Sequence, residues 1–216
     1  MKLYLVHGSN PKDTTLCWKS SEMNRFGYSK RTKRQKWIPV YRIHTPGMLH
    51  ISKPTLIYKV LSVSEESNHW YSRSRSGGLI EEEIARVEWH TFRSSSIIYK
   101  GQYLRLDDWL PKTGFFRKKR TFQGPDGRWY EWSGSSTSSL NMLRHRKSSS
   151  RKKEIARMHQ RGFFRMTPRA YLEIDDRFVS EDIYDVLDLI VATWVYIETK
   201  RIKERESSDP IEVNAD

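Results

Sequence analysis

Short runs of alternating apolar and polar residues fill most of the chain, and one stretch near its C-terminus breaks the pattern. Between Val186 and Ile197, ten of twelve residues are apolar or aromatic: Val186, Leu187, Leu189, Ile190, Val191, Ala192, Trp194, Val195, Tyr196 and Ile197. A surface helix carries one apolar stripe, whereas a helix apolar all round is buried on every side. Ser180 is a suitable N-cap, because its hydroxyl can accept a bond from a first-turn amide. Glu181, Asp182 and Asp185 follow it, and Lys200, Arg201, Lys203 and Arg205 come last. Acids first and bases last complement the helix dipole, so the spacing predicts a helix over 181–206. The apolar run reaches about 18 Å at about 1.5 Å per residue, short of a hydrocarbon core of about 30 Å. Asp188 also interrupts it, so no membrane span is predicted. Asp188 is expected near a mouth of the surrounding wall or paired with a wall Arg, because an unpaired buried carboxylate is costly.

The remainder reads as strands. Lys2 to Val6, Thr15 to Trp18, Val40 to His44 and Thr55 to Val63 are candidates, the last rich in branched and aromatic residues. Glu83 to His90 follows, then Ser96 to Lys100 and Gln102 to Leu106 around Gly101. Asp107 is expected to cap a single helical turn that Pro111 ends. Arg120 to Gln123 and Arg128 to Trp132 flank Gly124-Pro125-Asp126-Gly127, a hairpin turn in which Pro presets φ and Gly supplies a positive φ. Leu140 to Arg144, Ile155 to His159 and Ala170 to Ile174 complete the set. Polar loops are read at Arg31 to Lys36, Ser64 to Gly78, Gly134 to Ser139 and Arg146 to Lys153. Glu83-Ile84-Ala85-Arg86 recurs as Glu154-Ile155-Ala156-Arg157, which suggests equivalent strands. About ten to twelve strands followed by one buried helix predict a mainly β fold: a closed antiparallel barrel of about twelve strands enclosing the C-terminal helix. Closure would remove exposed edges. Residues 1–206 form one domain in this reading, and 207–216 a disordered acidic tail.

Charge adds a second layer. The chain has 216 residues and a net charge of +13. Sixteen Lys and Arg against three acids lie between Lys112 and Arg169, so that segment carries the whole imbalance. This distribution suits a surface meeting an anionic partner. The single cysteine, Cys17, allows no internal disulfide. Met1 to Val6 is too short an apolar start for a signal peptide. An intracellular, cytoplasmic location is expected, with peripheral membrane association.

No catalytic apparatus is predicted. The seven histidines lack metal-ligand spacing, and no Gly-rich phosphate loop is present. Asp107-Asp108 is a pair of adjacent carboxylates, but neighbours in a strand point opposite ways, so acid–base work is not expected of it. Cys17 has no evident base. No cofactor is called for.

The stretches Ala85 to Phe92, Leu106 to Phe116 and Arg120 to Trp132, with Asp188 to Glu198, resemble a domain family of mushroom-forming fungi that has no agreed activity. The resemblance spans about Val40 to Arg205, and its most specific part ends in Gly-Pro-Asp-Gly-Arg-x-Tyr-x-Trp. The architecture is similar to the tubby C-terminal, phospholipid scramblase and LURP-one-related group. That likeness implies a twelve-stranded barrel around a hydrophobic C-terminal helix and permits a phosphoinositide or membrane-surface role. It carries over no catalytic residue.

Two binding readings follow. Phe115 and Phe116 precede Arg117, Lys118, Lys119 and Arg120, and Phe122 follows. Aromatics beside a basic cluster can dip into a membrane interface while the cations meet lipid phosphates, at about 1 kcal/mol each. Ranked below it is a nucleic-acid or protein-interaction module using Arg128-Trp129-Tyr130-Glu131-Trp132 to grip phosphates and stack bases. Ser148, Ser149 and Ser150 lie between Arg146-Lys147 and Arg151-Lys152-Lys153 and are candidate phosphorylation sites, where each phosphate would cancel up to about two positive charges.

Overall fold

The computed structural model describes residues 1–6, 10–19, 37–47, 53–63, 79–90, 93–114, 119–133, 139–143, 152–160, 169–175 and 184–207. In chain order the elements are β1 (Lys2–Leu5), β2 (Thr14–Lys19), β3 (Trp37–His44), β4 (Thr55–Val63), β5 (Leu79–Glu88), β6 (Ser96–Tyr99) and β7 (Gln102–Arg105). The single-turn helix α1 (Leu106–Trp109) comes next. It is followed by β8 (Lys112–Thr113), β9 (Lys119–Gln123), β10 (Trp129–Ser133), β11 (Ser139–Leu143), β12 (Lys152–His159), β13 (Tyr171–Ile174) and the long helix α2 (Tyr184–Glu206).

The thirteen strands form one antiparallel sheet in the order β7-β6-β5-β4-β3-β2-β1-β13-β12-β11-β10-β9-β8. The first and last strands meet in its middle: β1 pairs with β13, and the Met1 ammonium donates to the Ile174 carbonyl at 2.7 Å. The expected closed barrel is not formed. Among the described residues no ladder joins β7 to β8, the two outermost strands, so the sheet is open. The cause is local. The chain between these edges turns into α1 and then meets Pro111, which has no N–H to give. Two-residue β8 offers few groups to pair. Asp107 does not cap α1 either; Arg105 holds the cap position without a side-chain bond, and the Asp107 amide donates to Ser94 Oγ at 3.2 Å.

The repeated Glu-Ile-Ala-Arg has a structural meaning. On β5 the register slips so that Ile84 is the extra residue opposite Ile57 and Tyr58, and on β12 Ile155 is the extra residue opposite Leu140 and Asn141. A bulge turns two consecutive side chains to one face. Ile84 with Ala85, and Ile155 with Ala156, are accordingly both buried. Residues three apart in a regular strand face opposite ways. Across the bulge they share the outer face, which lets Glu83 pair with Arg86 at 3.0 Å and Glu154 pair with Arg157.

Helix α2 is buried from Val186 through Tyr196, as its all-round apolarity predicts. Its interior polar groups are matched from several strands, except the Trp194 indole N–H, which has no partner among the described residues. Asp188 is 2% exposed and accepts hydrogen bonds from the Tyr41 hydroxyl at 2.7 Å and the Lys59 ammonium at 3.1 Å. The partner is thus a wall Lys with a Tyr rather than an Arg. Thr193 Oγ1 donates to the Leu189 carbonyl at 2.8 Å and accepts from Trp132 Nε1 at 2.9 Å. Glu198 and Arg201 form a buried pair one turn apart, and Gln160 donates to Glu198 at 2.9 Å. These partners on β3, β4, β10 and the end of β12 reach the helix from both halves of the sheet.

Breaking the Lys59–Asp188 pair from one side strands a buried carboxylate. Lys59→Met is expected to cost about 2–3 kcal/mol, below the ~3–5 kcal/mol of a fully buried pair because Lys59 keeps some solvent access. The double variant Lys59→Met/Asp188→Leu should regain most of that loss in urea unfolding followed by tryptophan fluorescence. Strictly additive losses would contradict the coupling.

Candidate functional site

Strand β9 alternates, and that separates the predicted basic cluster. Phe115, Phe116, Arg117 and Lys118 lie outside the described residues. Lys119 is half-exposed and lies 3.6 Å from Glu131, which also takes Lys152. Arg120 is buried on the inner face with Phe122. Its guanidinium donates to the Leu110 carbonyl at 2.7 Å, lies 3.5 Å from Asp107 and stands 5.1 Å from the Tyr196 ring centre on α2. Arg120 therefore faces the helix and not an outer surface. Ser148, Ser149 and Ser150 also fall outside the described residues. Many of the segment's described cations are held in local pairs: Lys153 with Asp175, Arg128 with Asp126 and Arg157 with Glu154.

The Gly124-to-Trp132 motif is accounted for by folding. The Gly124 amide donates to the Arg128 carbonyl at 2.8 Å, and Gly127 takes φ +72°. A Cβ on Gly124 would stand 2.6 Å from the Tyr130 ring, so only glycine fits. Asp126 accepts from the Arg128 amide at 3.1 Å and from the Tyr130 hydroxyl. Burial, then Asp126, raises the Tyr130 hydroxyl above its ordinary pKa. Tyr130 and Trp132 are both buried, which leaves Trp129, half-buried, as the aromatic of this strand with a face toward solvent. The adjacent acids do separate work: Asp107 lies by Arg120, and Asp108 pairs with Arg105. Among the described residues no three His, Cys, Asp or Glu side chains are grouped to hold a metal ion.

A different constellation sits at the C-terminal end of α2. Trp89, just after β5, stacks on Tyr196 with ring centres 5.9 Å apart. Lys12 Nζ lies 4.9 Å and Lys203 Nζ 5.8 Å from the Trp89 ring centre. Arg120 lies over Tyr196, and Lys200 Nζ is 5.8 Å from the same ring. Four cations from three separate segments thus share one stacked aromatic pair. Burial, with Lys203 next to it, depresses the pKa of the Lys12 amine. Lys200 is depressed by burial first, then by Lys203, Arg120 and, on β8, Lys112; Asp107 opposes the shift. Sequence reading assigned Lys200 and Lys203 to the helix dipole and Tyr196 to the core. Their three-residue spacing places them on one face, but nothing local joins them to Lys12 or Arg120.

Cys17 is fully buried, and burial pushes its thiol up to about 12 against a small opposing effect of Arg169. Because the thiolate is the reactive form, the folded chain at pH 8 should resist iodoacetamide, while chain unfolded in guanidinium should label at the rate of an ordinary thiol. Equal rates in both states would contradict this.

Among the described residues no helix is long and apolar enough to cross a membrane. Comparison with known proteins gives one family model matching residues 10–203, whose description is a family of unknown function, DUF6593. No curated protein and no solved structure matches. The match carries no activity, and it addresses neither a fungal origin nor a likeness to the tubby and scramblase group. It runs from the turn before β2 to the last turns of α2, and so the chain belongs to the family of unknown function DUF6593.

Proposed function

We propose that this domain acts by binding rather than catalysis, docking a basic surface on anionic phospholipid headgroups at the cytoplasmic face of a membrane. One observation carries the reading: the whole net charge of +13 resides between Lys112 and Arg169. Phe115 and Phe116, beside Arg117, Lys118 and Lys119, supply the apolar contact next to the cations. With Arg120 turned to the core, three cations remain in that cluster, giving about 3 kcal/mol at ~1 kcal/mol each, enough for weak recruitment. The likeness to the tubby and scramblase group suggested the same role through a shared barrel; an open sheet removes that support, and the reading stands on charge. Nucleic-acid binding has less in its favour, because two of the three aromatics that would stack bases are buried.

Co-sedimentation with neutral and anionic vesicles at low and high salt tests the proposal. Binding is expected to anionic vesicles alone, to weaken with salt, and to be lost in Arg117→Glu/Lys118→Glu/Lys119→Glu. Aspartate at Ser148, Ser149 and Ser150 in the otherwise unchanged chain should weaken binding to anionic vesicles. Equal binding to both vesicle types, or binding that survives the charge reversal, would refute the membrane reading.

A further inference from the structure

We propose that residues 106–110, which span the seam between β7 and β8, are a strap that opens over α2 without unfolding the sheet, latched by the Arg120 side chain instead of a backbone ladder.

The rest of the wall is laddered. From β7 round to β8, each strand is hydrogen-bonded to its neighbour in the sheet. Among the described residues the two outermost strands share no ladder, and α1 occupies the chain between them. Its four residues fall well below the about 12–15 that make an isolated helix even marginally stable. Arg105, at its N-cap, supplies no side-chain bond. The strap is therefore held by what it touches and not by its own helicity.

Those contacts are few, and the two sides differ. Toward β7, the Leu106 amide donates to the Ser95 carbonyl at 3.0 Å and the Asp107 amide to Ser94 Oγ at 3.2 Å. Toward β9, the hold on α1 is one side chain. The Arg120 guanidinium donates to the Leu110 carbonyl at 2.7 Å and lies 3.5 Å from Asp107. The same group stands 5.1 Å from the Tyr196 ring centre, so the latch lies between strap and helix. Just past the strap the chain is anchored again: the Pro111 carbonyl accepts from the Thr121 amide at 3.3 Å, and the Thr113 and Thr121 hydroxyls are 2.8 Å apart. Both ends can thus stay fixed while the middle moves.

Closure buries apolar surface. Leu106 and Leu110 are fully buried and belong to the same core as the apolar run of α2, while half-buried Trp109 packs 5.8 Å from Phe122. Asp107 and Asp108 face solvent. Opening would expose two leucines and release Arg120 from both of its partners on α1. Regions with few backbone bonds to their surroundings open at lower free energy than laddered strands, and this seam is where the wall around α2 meets that description.

Native-state hydrogen exchange of the unaltered chain at low urea tests the strap. The Leu110 amide donates to the Leu106 carbonyl at 2.9 Å. It is expected to exchange at least roughly a hundredfold faster than the slowest amides of β1 and β13, at a rate that low urea hardly changes, the mark of a local opening. Arg120→Met removes the guanidinium and should raise the Leu110 rate at least tenfold more than it raises those of β1 and β13. A single turn can fray without moving its side chains, so Leu110→Cys reads the side chain itself. Iodoacetamide should label it at least tenfold faster than Cys17, which is equally buried in the same molecule. Far-UV circular dichroism confirms that the variants fold, and exchange in the unaltered chain decides the matter without them. Protection of Leu110 equal to that of β1 and β13, labelling of Leu110→Cys no faster than Cys17, or an Arg120→Met effect shared equally by all three elements would overturn the inference.

Discussion

An apolar helix with no exposed face cannot be left half covered. From Val186 to Tyr196 every side of α2 is buried, and the polar side chains Asp188 and Thr193 in that run draw partners from the surrounding strands, while the Trp194 indole N–H has none among the described residues. Asp188 is the sharpest case: Tyr41 from β3 and Lys59 from β4 converge on one carboxylate. Thr193 ties the opposite half of the sheet to the helix through Trp132. These contacts fix the rotation of the helix as well as its depth, because a turn of about 100° per residue would aim Asp188 at apolar wall. The sheet is consequently organised by what the helix needs. The antiparallel order brings β1 and β13 together in its centre, so the two ends of the strand region are joined before the chain enters α2.

Charge is distributed in two ways that a linear reading merges. The basic segment between Lys112 and Arg169 is an imbalance of sequence, and many of its described cations are paired where they stand. The cluster at the end of α2 is a grouping in space. It gathers Lys12 from the turn before β2, Arg120 from β9 and Lys200 and Lys203 from the helix around Trp89 and Tyr196. Electrostatic work depends on distance, so the second arrangement is the more specific one, while the first offers long-range attraction for an anionic surface. Arg120 belongs to the first by sequence and to the second by geometry.

Much of the secondary structure was legible, because it rests on local rules. Thr55 to Val63 is a strand with the predicted bounds, the Gly124–Gly127 hairpin forms as its residue types require, and α2 follows from apolarity alone. The repeated Glu-Ile-Ala-Arg was visible as an echo, and its cause, a bulge stapled by an ion pair, became readable only with the register. Closure was misjudged because strand number does not set it; a single helical turn and Pro111 between the edge strands left the sheet open. Arg120 was misplaced for a simple reason. In an alternating strand adjacent cations face opposite ways, and nothing in Arg117 to Arg120 says which of them faces in. The helix-end cluster depends on contacts between segments distant in sequence, such as Lys12 with Trp89 and Arg120 with Tyr196, which composition and spacing do not encode.

Native-state hydrogen exchange resolved by residue addresses the central claim most directly, that α2 is the core on which the sheet is organised. If it is, amides of Val186 to Tyr196 exchange only through global unfolding, with the same free energy as those of β1, β3 and β13. A helix whose amides exchange at much lower free energy than these strands, by a separate local opening, would contradict the account.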